Sequence, residues 1–305
     1  ADMVPLEGIN RALAWHGLRH LGKSQSAGVK ALAGRARLTG IGRADHVGFV
    51  LGPRINAAGR VADAKTAFEL LTTTDTARAE ELAGQIEIQN NRRRALQKEV
   101  TAEALAAAAD LEGREHAVVL ADPRWHSGVV GIVAARVKEQ FAVPTFILTI
   151  EDGVAKGSGR SVEGYDLVAG LHKLAEDGLF RRFGGHYFAA GVTMDAAKVP
   201  QFRAALAKHV AEVLPISARR RTISIDAEVQ LADLSLETAD ILDALEPHGR
   251  GNSRPKFLLR GVVIAEKRII GADKNWVRLK LVEDNDRPLW ARRGRGVFCA
   301  RDRVE

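Results

Sequence analysis

One cysteine, Cys299, stands in 305 residues. No disulfide can close within the chain, which fits a reducing, cytoplasmic compartment. No run of about 18 apolar residues occurs, so no membrane span is expected. Ala1 to Gly22 lacks a basic start followed by an apolar stretch, and no secretory signal peptide is expected there. No methionine opens the chain, and ADMVPL reads as a sequence entered in the middle of a domain. The nine histidines are scattered, with no adjacent pair and no Asp-His-His. Catalytic cations need clustered Asp and His. None is therefore expected to bind this chain tightly.

Hydrophobic side chains make up 46% of the chain, enough for two or three domains with cores of their own. Charged residues, at 27%, match a globular protein better than a disordered one. The formal net charge of +7 is unevenly placed: His248 to Glu305 holds fifteen Lys/Arg and seven Asp/Glu, a net of +8. One-sided basic charge suits a polyanionic partner, and it equally suits a solubilising surface.

Residues 1–75 read as helices and loops, with Leu13, Trp15, Leu18 and Leu21 at roughly helical spacing and a short helix over Ala64–Leu71. GPRINAAGR, Gly52–Arg60, is expected to be a loop between them. Asp75 is the expected N-cap of a helix over 76–110. At about 1.5 Å per residue it is roughly 50 Å long, and its thin apolar stripe suits a bridge between domains. From His116 an α/β pattern begins. Strands are expected over 116–121, 144–150 and 190–194, a glycine-rich strand or turn over 154–161, and helices over 129–141, 166–176 and 196–213. Pro215–Arg221 reads as a linker. Strands over 222–230, 257–270 and 276–282 and a helix over 236–245 suit a small β-barrel such as an OB-fold. The run after Asp286 loses strand alternation.

Four motifs carry residue types suited to an anionic ligand. In RFGGHYFAAGVTM, Gly184 and Gly185 let the backbone approach a ligand, His186 can donate to a phosphate oxygen, and small residues leave a shallow floor. A tight turn with a packed histidine is the alternative. In GSGRS, Ser158 and Arg160 alternate to one face of a strand and make a compact phosphate clamp. An edge strand with exposed polar side chains would look the same. In RWHSGVVGIVAARV, Ser127 precedes a helix whose free N–H groups attract anions, so His126 and Ser127 are candidates to line a nucleic-acid path. They could equally be an N-cap and a packed histidine. In GPRINAAGR, Arg54, Asn56 and Arg60 surround a small-residue turn, or Arg60 simply pairs with Asp63.

In their order along the chain (GPRINAAGR, RWHSGVVGIVAARV, GSGRS, RFGGHYFAAGVTM) and in their spacing, the four motifs resemble the part of RecJ-type single-strand DNA exonucleases that follows their DHH phosphoesterase core. The resemblance runs from residue 1 to about residue 283. It implies an α/β plus β-barrel fold: a remnant of the DHH domain over 1–75, a connecting helix over 76–112, a DHH-associated α/β domain over 113–215 and an OB-fold over 218–305. It implies a 5′→3′ exonuclease of DNA repair and recombination, with Mn²⁺ or Mg²⁺ in the complete enzyme held by residues upstream. Asp2 would lie in the tail of the last ligand-bearing segment. No catalytic residue is then expected in this chain, which alone should be inactive. By the same resemblance Ser158 and Arg160 meet the 5′-phosphate, and Arg54, Asn56 and Arg60 meet the nucleotide. Pro247–Pro255 resembles a PxGxGNPxP loop of the RecJ OB-fold, with Ser253 where that pattern has proline. There Arg254, Lys256, Lys274 and Arg278 supply charge, and Trp276 and Phe257 are candidates to stack bases. For Trp276 a barrel-core role stands equally. The implied partner is single-stranded DNA with a 5′ end, alongside a single-strand-binding protein or helicase. A stand-alone single-strand-binding module and a DHH-family phosphoesterase of small nucleotides are the competing readings. The long helix and the extra barrel favour the exonuclease over the latter.

Overall fold

The computed structural model describes residues 4–216, 223–270, 276–283 and 298–300. They fall into two compact units: Ala1–Lys23 with Ile41–Gly48 and Ile223–Glu305, and Ser24–Gly40 with Phe49–Thr222.

Helix α1 (Gly8–Gly22) belongs to the first unit, and α2 (Ala27–Arg35) opens the second. GPRINAAGR is not a loop but helix α3 (Gly52–Val61). Pro53 sits in its first turn, where a fixed φ and a missing N–H do no harm. Ala57 and Ala58 are fully buried. Methyl side chains there let a neighbouring helix come close, so the "small-residue turn" is a packing face. Helix α4 (Lys65–Thr72) follows, then α5 (Thr76–Ala109), 34 residues and about 51 Å long. Asp75 caps α5, its Oδ1 accepting from the backbone N–H of Ala77 at 2.8 Å and Arg78 at 3.2 Å. The stripe Ala79, Leu82, Ala83, Ile86 and Asn90 is buried where α2, α3 and α4 pack. Val100, Ala104 and Ala108 are buried against α6. The helix expected to bridge domains thus runs within one compact unit.

The rest of this unit is a five-stranded sheet, ordered β1-β2-β3-β5-β4. Its strands are β1 (Val118–Asp122), β2 (Thr145–Glu151), β3 (Val154–Arg160), β4 (Arg182–His186) and β5 (Ala189–Asp195). The β1–β2 pair is parallel, joined through α6 (Val130–Phe141), and the other pairs are antiparallel. Strand alternation splits the sheet's side chains into two faces. On one face Phe146, Leu148, Val192 and Met194 pack with α7 (Leu167–Ala175) and α8 (Val199–Val213). On the other, Val118, Leu120 and Ile147 pack with α5 and α6. That second covering ends at β3. Over β5 and β4 the same face shows the exposed residues Gly191, Arg182, Gly184 and His186.

In the first unit, β6 (Ala227–Glu228) pairs in parallel with β7 (Phe257–Leu258), and α9 (Leu236–Ala244) is capped by Ser235. β8 (Val262–Ile270), β9 (Trp276–Glu283) and β10 (Phe298–Ala300) form an antiparallel sheet in the order β10-β9-β8. The strand expected over 222–230 shrinks to two residues, and that over 257–270 breaks at 259–261. Polar alternation along a sequence cannot show where a ladder partner stops. The described strands do not close into a barrel. Most of the expected linker Pro215–Arg221, the turn with Lys274 and most of the run after Asp286 lie outside the described residues.

Candidate functional site

Register fixes which residues share the open face. Opposite residues on neighbouring strands point the same way, so three cross-strand rows follow. Arg160 pairs with Ala189, which pairs with His186. Ser158 pairs with Gly191, which pairs with Gly184. Lys156 pairs with Thr193, which pairs with Arg182. The three strands span about 10 Å. The middle row is a floor of Ser158 and two glycines, bordered by Lys156 and Arg182 at one end and by Arg160 and His186 at the other. At Gly184 an added Cβ would meet nothing within 4 Å. Gly185 instead sits at φ +156°, where a Cβ would lie 2.3 Å from the Ala189 carbonyl oxygen, so the hairpin requires glycine there.

The β3 end of this ledge meets the first turn of α6. A Cβ on Gly131 would lie 3.1 Å from Arg160 Nη2 and 3.4 Å from Ser158 Oγ. The hydroxyl and guanidinium therefore sit directly on a helix N-terminus, whose N–H groups and dipole favour an anion. A Cβ on Gly128 would lie 2.0 Å from the Arg60 carbonyl oxygen, so the end of α3 abuts the same turn. Arg60 Nη1 donates to the Gly128 carbonyl at 3.3 Å. Arg160 Nη1 donates to the Gly159 carbonyl at 2.8 Å. Arg93, on α5, donates to Asn90 Oδ1 and Gln97 Oε1, both at 2.9 Å, and its buried Nε has no partner. None of Arg60, Arg93 and Arg160 pairs with a carboxylate among the described residues. Burial, and then the charge of Arg60, pull the Arg160 guanidinium below the ordinary arginine value. Burial, then Arg60, Arg94 and Arg54, do the same to Arg93. Arginine still stays protonated at neutral pH, so the cluster is a concentration of uncompensated positive charge.

The helical form of GPRINAAGR separates its polar residues. Arg54 lies on the α5 side, donating from Nε to Glu87 Oε2 at 2.6 Å and from Nη2 to Glu87 Oε1 at 3.3 Å. Its charge is thus already matched. Asn56 and Arg60, four residues apart, share the exposed side. The Asp63 alternative for Arg60 gives way to the Gly128 carbonyl. Ser127 is exposed and does not cap α6: Val129 holds the N-cap position without a side-chain bond. A turn at 127–129 intervenes, with His126 Nδ1 accepting from Gly128 N at 3.0 Å and the His126 carbonyl accepting from Val129 N at 3.0 Å. His186 is exposed, its Nδ1 accepting from Phe188 N at 3.4 Å.

In the other unit Arg254 pairs with Asp45 at 3.0 Å and Glu246 at 3.2 Å, so its charge is also matched. The Lys256 side chain is exposed, its backbone N–H donating to Asp226 at 2.8 Å. Arg278 is exposed on β9, opposite Arg268 on β8. Lys274 and the side chain of Trp276 lie outside the described residues.

Lys156, Arg182, Arg93, Gly128 and Gly131 were not singled out from sequence. Strand alternation through Lys156, Ser158 and Arg160 carries a signal for the first. Arg92–Arg94 interrupting a thin apolar stripe carries one for Arg93. No three His, Cys, Asp or Glu side chains gather to hold a metal ion among the described residues. Asp2 lies outside them. Among the described residues the donors do not fit a resident metal pair.

Comparison with known proteins agrees with this layout. Residues 114–212 match the DHHA1 domain and residues 225–291 the RecJ OB domain. The single-stranded-DNA-specific exonuclease RecJ of Bacillus subtilis is 35% identical over 287 residues, covering 92% of this chain and 36% of that protein. The Thermus thermophilus protein of the same name is 39% identical over 275 residues, covering 88% of this chain and 38% of that protein. The crystal structure of RecJ with Mn²⁺ from Thermus thermophilus superposes with a TM-score of 0.82 at 32% identity, covering 99% of this chain and 42% of that one. The chain thus spans between about a third and a half of the length of these relatives. With a DHHA1 domain followed by a RecJ OB domain, it belongs among the RecJ-type proteins as a partial-length relative.

Proposed function

We propose that this chain grips single-stranded DNA by its 5′ end, as the substrate-holding part of a metal-dependent 5′→3′ exonuclease. Ser158 and Arg160 against the first turn of α6 carry the reading, with Arg60 and Arg93 adding charge that no carboxylate among the described residues neutralises. A terminal phosphate, with more charge than an internal one, gains most from converging cations and helix N–H groups. The strand then runs over the glycine floor of β5 and β4 between Lys156, Arg182 and His186. The exposed Arg278 of the first unit offers a further cation to single strands. The curated relatives named above carry single-stranded-DNA-specific exonuclease in their names, and the Thermus structure holds Mn²⁺. Divalent ions would supply an activated water and a stabilised leaving oxygen. This chain's contribution is to bind and orient the strand, with Ser158 as hydroxyl donor and Arg160 as fork.

Fluorescence anisotropy with 5′-phosphorylated and 5′-hydroxyl single strands tests the reading. The phosphorylated strand is expected to bind more tightly, and Ser158→Ala and Arg160→Gln are expected to erase the difference. Equal affinity for both ends in the unaltered chain removes the 5′-end assignment and favours a module that binds single strands anywhere. With Mn²⁺ added, the labelled strand is expected to stay intact, and release of mononucleotides would contradict the division of labour proposed here.

A further inference from the structure

The β4–β5 turn carries two aromatic residues that the anion cluster does not use. Tyr187 is 38% exposed and Phe188 50% exposed. Their ring centroids lie 4.6 Å apart in an edge-to-face arrangement. The backbone beneath them is fixed at three points. The Tyr187 carbonyl accepts from Leu167 N at 3.0 Å, the Phe188 carbonyl accepts from Ser161 N at 2.9 Å, and Phe188 N donates to His186. Ser161 directly follows Arg160, so the turn is tied to the strand end that bears the phosphate clamp. Arg160 and Ala189 are paired at about 4.5–5.5 Å between Cα atoms, and Phe188 is one residue further, at most about 9 Å away.

Burying one Phe side chain is worth about 1.5–3 kcal/mol, so a partner that covers these rings on a fixed backbone gains on that order. The surroundings indicate which partner. The turn follows His186 and is bonded to the residue after Arg160, so two cationic or proton-donating side chains of the ledge flank it in sequence and register. A protein interface needs about 800 Å² per side with an apolar centre, far more than two rings provide. An unpaired nucleobase needs only one ring face. We propose that Phe188, propped by the edge of Tyr187, stacks a nucleobase of the strand whose phosphate sits at Ser158 and Arg160. The inference rests on the strand-holding function proposed above and adds a base-contacting residue pair to it.

The test uses this chain, a 5′-phosphorylated single strand with bases, and an abasic strand with the same number of phosphates. In the double variant Tyr187→Leu/Phe188→Leu, which keeps apolar bulk at exposed positions, affinity for the base-bearing strand is expected to fall roughly five- to hundredfold. Affinity for the abasic strand is expected to stay unchanged. Phe188→Trp is expected to restore binding and to show fluorescence quenching by the base-bearing strand alone. If the double variant leaves both affinities unchanged, or lowers both equally, stacking is overturned while the phosphate clamp stands. If the unaltered chain binds neither strand, the strand-holding function fails and this inference with it.

Discussion

Arg160 shows how a single side chain can be both half-buried and unpaired. An arginine in that position costs desolvation energy that a carboxylate would normally offset. Here the Gly159 carbonyl accepts from it and the first turn of α6 lies beside it, which orients the guanidinium without neutralising it. Gly131 sets the space it occupies. In Gly131→Ala the new methyl would press on the far end of the Arg160 side chain, which can swing, and not on backbone. Alanine also favours a helix over glycine by up to about 1 kcal/mol. The expected result is an unchanged or slightly higher melting temperature with weaker binding of a 5′-phosphorylated strand, read by calorimetry and anisotropy. A simultaneous loss of stability would show that the turn cannot yield.

Tyr165 gives a second test at this scale, away from the ledge. Its hydroxyl lies 2.7 Å from His209 Nδ1, and burial, then the charge of Asp166, push the phenol above its ordinary value of 10.0. The folded state therefore favours the neutral phenol, while the unfolded chain ionises near the ordinary value. Its contribution is complete below about pH 10 and declines as pH rises beyond that. In urea melts Tyr165→Phe is expected to cost about 0.5–1.5 kcal/mol at pH 8, from the lost hydrogen bond. It should also flatten the further loss between pH 9 and 11. An identical alkaline loss in both proteins would assign that loss elsewhere.

Elements were legible where periodicity is strong and misread where composition imitates a turn. The long helix and its Asp75 cap follow directly from spacing and capping chemistry. GPRINAAGR looks like a loop because Gly, Pro and Asn dominate it. Yet Pro is welcome in a first turn, and the two alanines belong to a helix–helix contact that only tertiary structure reveals. That misreading also hid the division between Arg54, turned to Glu87, and Asn56 with Arg60, turned outward. The ledge was half legible. Ser158, Arg160 and the GGH motif were visible, but Lys156 and Arg182 join them only through the β3–β5–β4 register, which no local pattern specifies. The Arg54–Glu87 bridge, with side chains 15% and 25% exposed, is expected to hold α3 on α5. Arg54→Met is expected to lower stability by about 1–3 kcal/mol, because Glu87 is left partly buried without its cation. A double-mutant cycle with Glu87→Gln in denaturant titrations should return a coupling energy near that size, and a coupling near zero would show the bridge to be idle.

At the scale of the whole molecule, charge is abundant but only part of it is free to meet a polyanion. The net charge of +7 counts every cation alike. The contacts do not: Arg54 and Arg254 face carboxylates, whereas Arg60, Arg93 and Arg160 do not. Single-strand binding releases condensed counterions, so log K falls with log salt at about −0.7 per phosphate neutralised. A cation already matched inside the protein releases little. The salt slope for a single strand is therefore expected to become shallower by about 0.7 in Arg160→Gln, which removes one contact. In Arg254→Gln the slope is expected to stay where it was, although that residue carries the same formal charge in the most basic stretch of the sequence. Titrations from low to moderate salt read both slopes in the same experiment. Equal changes for the two variants would mean that net charge, and not the arrangement of unpaired arginines at the head of α6, attracts the strand.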